Sequence, residues 1–107
     1  MHNKYDIIVI GAGLVGLASA FKIQITFPEK KILILEKEKS IAIHQSGRNS
    51  GVLHSGLYYN PGSLRAKNCV IGRRELVDFA KKYQVKHDVC GKLVVATNQK
   101  ELDALPA

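Results

Sequence analysis

Gly11, Gly13 and Gly16 stand in the pattern G-x-G-x-x-G, and Glu36 follows the last of them by 20 residues. Residues of these types at this spacing can hold a dinucleotide. Gly11 permits a tight turn, Gly13 lets the backbone approach a pyrophosphate, and Gly16 lets a helix pack closely on a strand. The N–H groups and positive dipole end of a helix that starts at this turn attract phosphates. An acid at the position of Glu36 accepts hydrogen bonds from both ribose hydroxyls and repels a 2′-phosphate, which disfavours NADP. This set of residues does not separate FAD from NAD, because both present the same ADP half.

The discriminating residues follow in HQSGRNSGVLHSGLYYNPG, residues 44–62. Ser46, Arg48, Asn49 and Ser50, interleaved with Gly47 and Gly51, offer hydroxyls, an amide, a guanidinium and freely oriented backbone N–H groups. Such an inventory suits an extended, polar, anionic ligand edge. The N1–C2=O locus of a reduced flavin is an edge of that kind. His54, after the apolar pair Val52 and Leu53, can sit against such a ring. An NAD-dependent dehydrogenase would instead place a second helix and a third strand soon after Glu36. His44 reads more readily as a residue that fixes the loop, and Tyr58 and Tyr59 as packing residues with polar tips.

These residues need elements to position them. Ile7 to Ile10 is a continuous β-branched run, as in a parallel strand buried on both faces. Leu14, Leu17, Ala18, Phe21 and Ile25 recur at helical spacing, which predicts a helix from Leu14 to Thr26, with Pro28 beyond its end. Ile32 to Leu35 forms a second strand, closed by Glu36. Ser63 is a candidate N-cap for a long scaffold helix. Its expected buried side is Val70, Leu76, Val77, Phe79, Ala80 and Tyr83, with Arg73, Arg74, Lys81 and Lys82 facing water. VKHDVC and KLVVAT predict two short strands about Gly91, with His87 a half-exposed strand residue. Asn98 and Glu101 form a capping-box pair that opens a last helix.

Four stretches, DIIVIGAGLVGLA, LILEKE, HQSGRNSGVLHSGLYYNPGSLRAKNC and VCGKLVVATNQKEL, resemble the N-terminal part of FAD-dependent oxidoreductases of the D-amino-acid oxidase-like class. The likeness is nearest to members that oxidise L-2-hydroxyglutarate. It implies an α/β fold: the N-terminal part of a doubly wound, Rossmann-like FAD-binding domain over residues 1–84, and the start of an antiparallel substrate domain over 85–107. It also implies contacts of Gly11, Gly13 and Gly16 with the FAD pyrophosphate and of Glu36 with the adenosine ribose. Ser46, Arg48, Asn49 and Ser50 would line the flavin side, and His54 would lie near the isoalloxazine, as the base that takes the substrate's hydroxyl proton or as a group that orients the substrate. The FAD is expected to be bound non-covalently. The substrate would be a 2-hydroxy acid and the electron acceptor a quinone or oxygen. An amine or amino-acid oxidase of the same class, or a catalytically dead nucleotide-binding remnant, are the competing functions.

Composition sets the remaining bounds. The 107 residues are 46% hydrophobic and 23% charged, as in a globular protein. No apolar run reaches the ~18 residues needed to span a bilayer, and no signal-peptide cleavage site follows the N-terminus. A cytoplasmic chain, with peripheral attachment to a membrane surface allowed, is the expectation. The formal charge of +7 is scattered, without a recognition motif, and argues for a solvated basic face rather than nucleic-acid binding. Cys69 and Cys90 have no CxxC partner and read as free thiols. No metal site can be assembled from His2, His44, His54 and His87, which lack ligand-type spacing. A helix opened near the last residue and a sheet of only two parallel strands suggest an N-terminal fragment.

Overall fold

A computed structural model of the chain describes residues 4–105; His2 lies outside them. Two compact units divide between Val52 and Leu53.

In the first unit, strand β1 (Ile7–Ile10) leads through the glycine turn into helix α1 (Leu14–Thr26), which returns to strand β2 (Ile32–Leu35). All three have the bounds that the hydrophobic pattern predicts. The strands pair in parallel, Ile7 with Ile32 through Ile10 with Leu35. Asp6 aligns them at one end: its backbone N–H donates to the Lys31 carbonyl at 2.9 Å, and its carboxylate accepts from the Lys31 N–H at 2.8 Å. At the other end the Gly11 N–H donates to the Leu35 carbonyl at 2.7 Å. Helix α1 stops where Pro28 can no longer supply a ladder donor, and Gln24 braces the exit by donating to the carbonyls of Pro28 and Lys30.

The core of this unit is thin. Ala12 and Ala20 are buried, but Ile8 and Ile10 are 55% and 86% exposed. The expectation of strands buried on both faces is therefore corrected. One helix covers one face of a two-stranded sheet. Val9 lies beneath α1, 3.4 Å from where a Cβ on Gly16 would sit. Alternation along the strand then turns Ile8 and Ile10 to the uncovered side.

The second unit is built on helix α2 (Leu64–Lys82). Ser63 caps it, its Oγ accepting from the Ala66 N–H at 3.2 Å, and Lys81 and Lys82 lie in the last turn, where cations complement the dipole. Ser63→Ala should cost about 1 kcal/mol of stability, read as a lowered denaturation midpoint at unchanged slope. The packed face is narrower than expected. Ala80 is buried and Ala66, Cys69 and Val77 are half-buried, whereas Val70, Leu76, Phe79 and Tyr83 are exposed. Phe79 and Tyr83 instead pack on each other one turn apart, ring centroids 4.6 Å from one another. Tyr58 and Tyr59 are likewise not core residues. Lys92 Nζ stands 4.3 Å from the Tyr58 ring centre, and the Arg65 guanidinium 5.9 Å from that of Tyr59.

Residues 85–97 contain no strand, which corrects the expectation of two strands about Gly91. Each run lacks a laddered neighbour among the described residues, and β propensity without pairing does not make a sheet. His87 is exposed, its Nδ1 2.8 Å from the Val85 carbonyl oxygen. Helix α3 (Gln99–Asp103) does open at the predicted cap. Asn98 Oδ1 accepts from the Glu101 N–H at 3.0 Å. The reciprocal bond falls one residue earlier than in a standard capping box: the Glu101 carboxylate accepts from the N–H and the hydroxyl of Thr97, both at 2.8 Å.

Candidate functional site

The site grows from the turn between β1 and α1. Gly11 has φ +97°, a conformation that only glycine adopts readily. Gly16 lies against it so closely that a Cβ there would collide with the Gly11 carbonyl oxygen. Gly13, the N-cap of α1, has no side chain with which to cap. Ser46 supplies the missing acceptor from the far side of β2: its Oγ accepts from the Leu14 N–H at 2.8 Å. A Cβ on Gly13 would come within 3.2 Å of that oxygen, so the turn and the loop are fitted to each other.

Glu36 meets the same turn. One carboxylate oxygen accepts from the Ala12 N–H at 2.7 Å and the other from the Glu38 N–H at 3.0 Å. The Ala12 amide, and after it the Glu38 amide, hold this carboxyl below its ordinary pKa. The segment after β2 then crosses the turn. The Ala42 N–H donates to the Ala12 carbonyl at 3.0 Å, and Ala42 itself takes the left-handed φ of 59°. His44 pairs with Glu38, Nε2 to Oε1 at 3.0 Å, in agreement with a loop-fixing role. Gly13, Glu36, Ala42, Ile43, His44 and Ser46 line one cleft.

The structure thus brings Gly11, Gly13, Gly16, Glu36 and Ser46 together. Arg48 and Ser50 are exposed on the following loop. Asn49 shapes that loop, donating to the carbonyls of Gln45 and Ser46 at 3.1 and 2.9 Å and accepting from the Gly51 N–H at 2.7 Å. His54 belongs to the second unit, with its side chain exposed. Two amides expected to face a phosphate are already engaged: Ala12 by Glu36, Leu14 by Ser46. No residue spacing signalled either bond, nor the part played by Ala42. They join residues 24 and 32 positions apart, and only the folded chain makes them neighbours. Cys69 and Cys90 are free thiols. Among the described residues no group of His, Cys, Asp or Glu could hold a metal ion, and no helix is long and apolar enough to cross a membrane.

A parallel strand–turn–helix–strand unit with Glu36 closing its second strand defines a dinucleotide-binding protein of the Rossmann-like class. The more particular assignment comes from comparison with known sequences: residues 6–107 match the family described as FAD dependent oxidoreductase (DAO), and the chain belongs to that family. It is 50% identical over 101 residues to an L-2-hydroxyglutarate dehydrogenase of Indibacter alkaliphilus, covering 94% of this chain and 25% of that protein. The human mitochondrial L-2-hydroxyglutarate dehydrogenase is 47% identical over 105 residues, 98% of this chain and 23% of its own. The enzyme of that name from Escherichia coli is 42% identical over 103 residues, 96% of this chain and 24% of its own. The chain therefore spans about a quarter of the length of the curated relatives it matches.

Proposed function

We propose that this chain forms the FAD-binding N-terminal part of an enzyme that oxidises L-2-hydroxyglutarate to 2-oxoglutarate. The observation that carries the reading is its 42–50% identity, over nearly all of its length, to proteins named for that reaction. The residues present fit the ADP half of FAD. Gly16 lets the first turn of α1 close on Gly11, where a Cβ would collide, which gives the tight turn that a pyrophosphate-binding loop needs. Ser46 Oγ, having accepted from Leu14, keeps its own proton to donate to a phosphate oxygen. Each Glu36 oxygen has a second lone pair for a ribose hydroxyl. Arg48 and Ser50, on the loop that Asn49 shapes, are the groups proposed to reach the flavin.

FAD, when bound, supplies the acceptor for the hydride that leaves C2 of the substrate. His54 takes the hydroxyl proton of the 2-hydroxy acid on an imidazole nitrogen as C2–H is lost, so the substrate yields its keto form. Residues 85–107 are proposed to begin the antiparallel substrate domain, a reading supported by the resemblance of VCGKLVVATNQKEL to that part of the class. Electrons pass on to a quinone or to oxygen. Delivery to a quinone would bring peripheral association with the cytoplasmic face of a membrane, to which a net charge of +7 is suited.

The test is the visible flavin spectrum of the full-length protein under anaerobic conditions. Bleaching by L-2-hydroxyglutarate is the expected result. Bleaching by sarcosine or a D-amino acid instead would overturn the substrate assignment and make the protein an amine or amino-acid oxidase.

A further inference from the structure

We propose that Cys69 is a positioning residue that holds the backbone of the His54 loop against helix α2. The inference rests on the reading of His54 as the group that meets the substrate, and adds to it what fixes that group in place. Two independent contacts support it. The Cys69 thiol donates to the His54 carbonyl oxygen at 3.2 Å. Two residues further on, Gly56 passes directly over the same side chain: a Cβ built there would lie 3.2 Å from both Cβ and Sγ of Cys69.

Gly56 also has φ +85°, so the chain turns over the thiol in a conformation that other residues resist. The loop is seated on Cys69 by shape and tied to it by a hydrogen bond. An S–H···O bond is weak alone. Here it is joined to a close contact, and the two together restrict the residue whose ring would face the substrate. Size explains why a cysteine serves. Alanine would leave a gap beneath Gly56 and no donor, whereas a larger apolar side chain would push the loop away. Serine keeps the donor on a shorter bond and should restore part of the function.

Amide hydrogen exchange over residues 52–57, measured on the FAD-loaded full-length protein, tests the seat without reference to catalysis. In Cys69→Ala these amides should exchange about fivefold faster, with Cys69→Ser intermediate. Turnover should fall about tenfold in Cys69→Ala at a KM within twofold of the parent and recover in part in Cys69→Ser. Should Cys69→Ala not fold, alkylation of the folded parent protein replaces it. Modifying Cys69 should speed exchange over 52–57, and modifying only the exposed Cys90 should not. Unchanged exchange after loss or alkylation of Cys69 would overturn the proposal. If instead His54→Gln leaves turnover intact while exchange still responds to Cys69, the seat stands and the catalytic reading of His54 fails.

Discussion

Replacing Gly16 by alanine should leave a protein that retains no FAD on purification. The added Cβ would collide with the Gly11 carbonyl oxygen and stand 3.1 Å from the carbonyl carbon behind it. Both are backbone atoms, and neither can rotate away as a side chain could. Relief requires the first turn of α1 to move off β1, which undoes the spacing that Ser46, Ala12 and Glu36 share. Overpacking of this kind costs about 1–3 kcal/mol in a yielding core, and a rigid backbone contact belongs at the upper end or beyond. Gly72→Ala is the matched control. Gly72 lies within α2 with nothing within 4 Å of its notional Cβ, so alanine there should be neutral or stabilising, by up to about 1 kcal/mol. The measurements are the ratio of flavin to protein absorbance and the thermal midpoint. Equal flavin content in the two variants would contradict the role given to Gly16.

Glu36→Gln should weaken FAD binding about 10- to 100-fold, through loss of a charged acceptor for the ribose hydroxyls. The amide keeps the shape of the side chain but has one acceptor oxygen, so either Ala12 or Glu38 loses its partner. A fluorescence titration of the apoprotein with FAD measures the change. The same variant should also alter the response to acid. The carboxyl of Glu36 is held below its ordinary value of 4.5, first by the Ala12 N–H and then by that of Glu38. Its stabilising effect is thus complete above that ordinary value and is lost as pH falls through the lower value of the folded state. The parent protein should lose stability more steeply than Glu36→Gln as pH falls below 4.5. Parallel curves would show that the carboxylate contributes nothing to holding the turn.

Local patterning and tertiary contact divide the legible from the illegible here. The bounds of β1, α1 and β2 follow from where β-branched runs meet Gly11 and Pro28, because each is decided by neighbours in sequence. Ser63 and Asn98 were readable as caps for the same reason: a cap acts over three residues. The narrow packed face of α2 was not readable. Helical periodicity shows which residues share a side, not how much of that side is covered. VKHDVC and KLVVAT failed similarly, since a strand exists only through a partner.

The glycine spacing, the flanking strand and helix, and the acid that closes β2 identify a dinucleotide-binding unit from the residues alone. The polar loop that follows carries the likeness to FAD-dependent oxidoreductases. How the parts are held follows from contacts that form on folding. Ser46 caps a helix that begins 32 residues earlier, Glu36 grips the Ala12 amide, and Cys69 lies beneath Gly56 and ties down His54. The physical reason is that glycine spacing and hydrophobic period are local properties of the chain. A hydroxyl, a carboxylate or a thiol can serve many acceptors and donors, and which one it meets is chosen when distant segments are brought within 3 Å of each other.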